Sequence, residues 1–88
     1  MIITVKGNES YNTDKYSAIK IISKKDYQLN EYPVIVGING EHEESIVFVP
    51  YKNYPWDNDK YCERKTKELY DKIINAWKSG EASVEIDF

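Results

Sequence analysis

Residues Lys60 to Ser79 carry apolar side chains at three- and four-residue spacings, and no other pattern in this 88-residue chain restricts its fold so strongly. Cys62, Thr66, Leu69, Tyr70, Ile73, Ala76 and Trp77 fall on one stripe, as a helix lying against a core requires. Between them stand Glu63, Arg64, Lys65, Lys67, Glu68, Asp71, Lys72 and Lys78. Glu63–Lys67 and Glu68–Lys72 have the order and spacing of supporting ion pairs. Asp57, Asn58 and Asp59 are all competent N-caps, and Gly80 suits the left-handed residue that closes a helix. Val84, Ile86 and Phe88 then alternate with Ser83, Glu85 and Asp87, predicting a half-buried strand over Ser83–Phe88.

The remaining elements are expected to be mainly strands. Ile2–Lys6 reads as a short one, followed by turn and loop marked by Gly7, Asn8, Asn12, Thr13 and Asp14. Tyr16–Ser23 is rich in β-branched residues and reads as a strand, although Tyr16, Ile19 and Ile22 also fit a short helix capped by Thr13 or Asp14. Lys24–Pro33 is polar and reads as a connection. Val34–Ile38 reads as a strand leading into Asn39-Gly40, the residue pair favoured by a type I′ hairpin turn. A two-residue turn there would set Glu41 opposite Ile38 and Glu43 opposite Val36, so either those ends project past the core or the loop runs on through Glu44. Ile46–Tyr51 is the return strand, with Ile46 and Phe48 on one face and Val47 and Val49 on the other. The expected fold is a single α+β domain over residues 1–88: an antiparallel sheet of four to five strands, one long C-terminal helix across one face, and a final strand.

Charge and composition narrow the function. A net charge of −3, with one Arg against eleven Lys, lacks the basic footprint of a nucleic-acid binder. One cysteine permits no internal disulfide, and Met1–Lys6 is too short an apolar run for a signal peptide or membrane span. A cytoplasmic location and no membrane partner are therefore expected.

Motifs for catalysis are thin. His42 sits in Glu41-His42-Glu43-Glu44, but it is the only His, and consecutive strand residues face opposite ways, so a solvated hairpin explains it better than a metal site. Cys62 near a helix start could have an activated thiol, yet it lies on the apolar stripe, where a small thiol packs well. Asp57 and Asp59 could serve acid–base chemistry but are adequately explained as caps. Gly37, Gly40 and Gly80 are isolated and form no phosphate loop. The chain is expected to be no enzyme and to hold no cofactor or metal.

The segment Tyr51-Lys-Asn-Tyr-Pro-Trp-Asp-Asn-Asp59 is the candidate contact surface. Tyr51, Tyr54, Trp56 and Tyr61 crowd around Pro55, with Asp57 and Asp59 interleaved; large stiff aromatics with polar tips dominate interface hot spots. The competing reading makes Trp56 and Tyr51 a plug at the end of the core. Glu41, Glu43 and Glu44 form a second, acidic candidate that could stand in for phosphates in a positively charged channel.

Leu69-Tyr-Asp-Lys-Ile-Ile-Asn-Ala-Trp-Lys-Ser-Gly80, followed by Val84-Glu-Ile, resembles the ending of small proteins from Firmicutes and their phages or mobile elements. The abundance of Lys, Ile, Asn and Tyr, 37 residues in all, matches the bias of AT-rich genomes. Some proteins of that kind inhibit host enzymes or defence systems, as anti-CRISPR proteins do. The resemblance implies a non-enzymatic module that binds a host defence or nucleic-acid-handling protein and blocks it sterically. Two other readings stand beside it: a small structural or assembly protein forming a homodimer, and a small-molecule or nucleotide binder.

Overall fold

The computed structural model describes residues 1–50 and 55–88, the side chains of 55–59 excepted. Its strands are β1 (Ile2–Val5), β2 (Glu9–Asn12), β3 (Ala18–Lys25), β4 (Glu31–Asn39), β5 (His42–Val47) and β6 (Ser83–Ile86), with one long helix, α1 (Pro55–Lys78), before the last of them. The class is α+β, as expected. In place of one sheet of four to five strands there are two sheets of three, ordered β2-β1-β6 and β3-β4-β5.

The division follows from where the two chain ends go. β6 returns beside β1 and runs parallel to it, pairing Ile3 with Val84 and Val5 with Ile86. β2 folds back antiparallel on the other side of β1 through a tight turn at Lys6-Gly7. Both central residues have positive φ, 51° and 71°, and the Asn8 amide donates to the Val5 carbonyl at 3.2 Å. These are the φ signs of a type I′ turn. Asn12 then caps a short 3-10 turn, Thr13–Lys15, its side chain accepting from the Asp14 amide.

β3, β4 and β5 form an antiparallel meander. Asn39 pairs with His42, so the central turn residues are Gly40 and Glu41, one position beyond the expected Asn39-Gly40. Only Gly40 takes a positive φ there, the pattern of a type II′ turn with glycine first. The shift sets Glu43 opposite Ile38 and Glu44 opposite Gly37. An irregularity beside Ile35 and Val36 then adds one residue to β5, and Ile46 and Val47 are both buried. A bulge thus reconciles an exposed, acidic hairpin end with an apolar strand behind it.

Pro33 lies inside β4 rather than at the end of a connection. β5 pairs with β4 only from Ile35 onward, so among the described residues Pro33 faces a ladder partner, Ser23, on one side alone. That is a position where a missing amide hydrogen is tolerated.

Helix α1 lies chiefly on β4, with further contact to β3 and β6. It starts five residues earlier than the apolar stripe predicts, which places Asp57, Asn58 and Asp59 within the helix rather than at its cap. The expected stripe is the packed face: Cys62, Thr66, Leu69 and Ile73 are buried, while Tyr70, Ala76 and Trp77 are partly so. Among the described residues the ion pairs on its surface are Lys65–Glu68 and Lys67–Asp71, in place of the expected Glu63–Lys67 and Glu68–Lys72. At its end Gly80 donates to Trp77 and Glu81 to Ala76, the paired bonds of a Schellman motif. The main core joins Ile3 and Val5 of β1, Ile19 of β3, Ile35 of β4, Ile46 and Val47 of β5, Leu69 and Ile73 of α1, and Val84 and Ile86 of β6.

Candidate interaction surface

Among the sequence-selected residues, Tyr51 and Tyr54 lie outside the described residues, as do the side chains of Trp56, Asp57 and Asp59. The acidic candidates are resolved. Glu41 occupies the hairpin turn and is exposed, as is Glu43. Glu44 is partly buried and engaged: the Lys15 ammonium lies 3.0 Å from its carboxylate, and the Tyr16 hydroxyl donates to it at 2.7 Å. The Tyr16 hydrogen bond, with help from Lys15, holds the Glu44 carboxyl below its ordinary range. Burial first, and the bond to Glu44 second, push the Tyr16 phenol up. Glu44 therefore serves the join between the 3-10 turn and β5, leaving Glu41 and Glu43 as the solvent-facing carboxylates of the three.

Tyr16 reaches Glu44 by passing over Gly37. A Cβ at Gly37 would sit 2.6 Å from the Tyr16 ring, so only glycine admits this approach. Ile19, Gly37 and Glu44 lie in one cross-strand row, which fixes the ring over the sheet.

The residues named for chemistry are placed as follows. His42 is exposed in β5. Cys62 is buried, its thiol 3.7 Å from the Pro50 carbonyl. Among the described residues no group of three His, Cys, Asp or Glu side chains is placed to hold a metal ion. No helix of the described residues is long and apolar enough to cross a membrane.

A surface that the sequence reading missed lies at the β3–β4 turn. Tyr27 is 92% exposed and Leu29 74% exposed. They stand on a loop tied from within by Asp26. Its carboxylate accepts from the Gln28 amide at 2.8 Å and the Asn30 amide at 2.9 Å. Its backbone carbonyl accepts from Leu29, and its amide donates to Asn30. An aspartate bonding the amides ahead of it is a common way to fix a turn. Leu29 itself has φ +63°, a left-handed conformation that costs a non-glycine residue about 1–2 kcal/mol.

The same end of the β3-β4-β5 sheet carries more apolar surface. Tyr32 of β4 meets Phe48, just past β5, edge to face, with ring centroids 5.2 Å apart. Phe48 is 46% exposed. Two residues on, at Pro50, the chain enters the aromatic segment chosen from sequence. Lys24 of β3 spans the meander to donate to Ser45 of β5 at 3.2 Å. This end thus presents a fixed loop tip with two outward apolar side chains and an aromatic pair behind it.

A concavity of about 350 Å³ lies where the two sheets meet and is lined in part by Lys6, Tyr11, Phe48 and Phe88. Lys6 sits over the Phe88 ring at 4.3 Å. The Tyr11 hydroxyl donates to Glu9 at 2.6 Å, a bond that is the main cause of its pKa being pushed up to about 12.

No family model, curated protein or solved structure matches the chain.

Proposed function

We propose that this chain is a non-catalytic protein-binding module whose contact surface is the Tyr27/Leu29 tip with the Tyr32–Phe48 pair behind it. The observation that carries the reading is Leu29. A leucine in a left-handed conformation adds strain, and with most of its surface in water it returns little burial energy to the fold. Asn or Gly would fit that backbone better. Retaining an exposed apolar side chain on a pre-fixed loop makes sense where a partner buries it, because a rigid loop loses little entropy on binding.

Tyr51, Tyr54, Trp56, Asp57 and Asp59 follow Phe48 in sequence and remain candidate contact residues of the module, and Glu41 and Glu43 are a separate acidic candidate on the hairpin at the opposite end of β4. The C-terminal resemblance supports placing the protein among phage or mobile-element products that act in the cytoplasm on a host defence or nucleic-acid-handling protein by steric blockade. The test is affinity capture from a Gram-positive lysate with the tagged chain and its Tyr27→Ala/Leu29→Asn variant. One stoichiometric partner that the folded variant fails to retain is the expected result. Equal retention by both would discard this surface.

The concavity between the sheets favours a second reading, a binder of small aromatic or anionic molecules. A thermal-shift screen with nucleotides tests it, since a ligand at about 100 times its Kd adds about 2.7 kcal/mol.

A further inference from the structure

Resting on the second reading above, we infer that the concavity between the sheets is a site for a free aromatic α-amino acid, its carboxylate held by Lys6, its ammonium by Glu9 and its ring by the apolar floor. β2 pairs with β1 only and β5 with β4 only, and the concavity opens between these two strands. Glu9 stands opposite Val5 and Tyr11 opposite Ile3, so both side chains lie on the same sheet face as the buried Ile3 and Val5. β5 does not close over them: Glu9 is exposed and Tyr11 only partly buried, and about 350 Å³ is open beside the buried Val5 and Ile46. An apolar floor with a few polar groups at its rim is the usual make-up of a small-molecule site, and this volume suits a small ligand.

Two groups at the rim have unused bonding capacity of opposite sign. The Lys6 ammonium rests on the Phe88 ring, and among the described residues no carboxylate pairs with it. Glu9 accepts from Tyr11 through Oε2, and among the described residues no donor reaches its Oε1. Glu44, the other carboxylate near Tyr11, is taken by Lys15 and Tyr16. Lys6 also has φ +51° at the first central position of a type I′ turn, where Asn, Asp or Gly fits better. A long cation kept in that strained position is accounted for by an anion for its ammonium to meet. One cation and one carboxylate that do not pair with each other select a zwitterion. A simple acid leaves Glu9 unmatched, an amine leaves Lys6 unmatched, and a nucleotide sets several negative charges beside Glu9. The rings of Tyr11, Phe48 and Phe88 favour an aromatic side chain over an aliphatic one.

The experiment titrates the intact, isotope-labelled chain with L-phenylalanine, phenylpropionate and phenethylamine, which share the ring and differ in charge. The expected result is that L-phenylalanine shifts backbone amides of Val5–Tyr11 and Ser45–Phe48 and binds about ten-fold more tightly than either analogue, each of which lacks one charge-assisted hydrogen bond. Glu9→Gln, which can still accept from Tyr11, should bring L-phenylalanine down to the level of phenylpropionate. Lys6→Gln should bring it down to the level of phenethylamine, with both spectra still dispersed. Equal binding of the three compounds at those amides would overturn the amino-acid assignment and leave the small-molecule reading standing. No shift of those amides by any of them at millimolar concentration would discard both, and the Tyr27/Leu29 surface would still be judged by its own capture experiment.

Discussion

The two hairpins of the β3-β4-β5 sheet turn their chains with the same backbone sign and opposite residues. At the β4–β5 turn Gly40 has φ +63°, and its neighbour Glu41 is polar and exposed. Glycine enters that region freely, so the turn adds little strain and presents nothing apolar. At the β3–β4 turn the residue at φ +63° is Leu29. There the chain accepts strain, ties the loop with Asp26, and shows Tyr27 and Leu29 to water. The first turn is explained by folding alone. The second contains more than folding needs, and that surplus is the basis for assigning it to recognition.

Another glycine, Gly37, calibrates the contrast and gives the largest expected effect. Gly37 is required for space, because the Tyr16 ring lies where a Cβ would go. Gly37→Val should cost about 3 kcal/mol in chemical denaturation, as overpacking does when neither neighbour can retreat. If it costs under about 1 kcal/mol, Tyr16 is not held by Glu44 as described.

Next comes binding. Tyr27→Ala/Leu29→Asn should weaken the captured partner about thirty-fold, the effect of losing one hot spot, while stability stays within about 0.5 kcal/mol. A variant that unfolds instead would show the tip to be part of the core. Smaller again is Asp26→Ala. It removes the carboxylate that the Gln28 and Asn30 amides use, and should cost about 1–2 kcal/mol. Faster hydrogen exchange at those two amides, with the Glu44–Tyr16 end unaffected, would locate the change at this tip.

The smallest effect is the pH response of the other end. Tyr16 has a raised pKa in the fold, so the native state holds its proton where the unfolded chain, near the ordinary value of 10.0, releases it. The stability this contributes is complete below that value and is lost as pH rises above it. Glu44 behaves oppositely: its pKa is lowered from 4.5, so its contribution is present above that value and fades as pH falls. Tyr16→Phe should flatten much of the alkaline decline and part of the acidic one, read from denaturation midpoints across pH.

Where the chain announced its structure, a burial period was the reason. The α1 stripe and the alternation of Ser83 to Ile86 each separate one wet face from one dry face, and both elements are present, α1 beginning five residues earlier than read and β6 ending at Ile86 rather than Phe88. β2 has no such period. Glu9, Ser10, Tyr11 and Asn12 are all exposed or only partly buried, and the backbone ladder with β1 holds them. The β4–β5 register was hidden because the bulge at Ile46 is a tertiary accommodation of two adjacent apolar residues. The long β3–β4 hairpin read as a connection because Lys24, Lys25 and Glu31 are polar and Pro33 argues against a strand, and only the topology shows Pro33 to lack a second neighbour. The tip itself left one trace, two apolar residues in a polar run, with Asp26 and Asn30 bracketing them.

The most direct measurement is the stability of Leu29→Gly by chemical denaturation. Relief of the left-handed strain outweighs the extra entropy glycine loses on folding, so stability should hold or rise by about 0.5 kcal/mol. A loss of about 1 kcal/mol or more would mean that Leu29 contributes packing to the fold, and the contrast between the two hairpins would have no functional meaning.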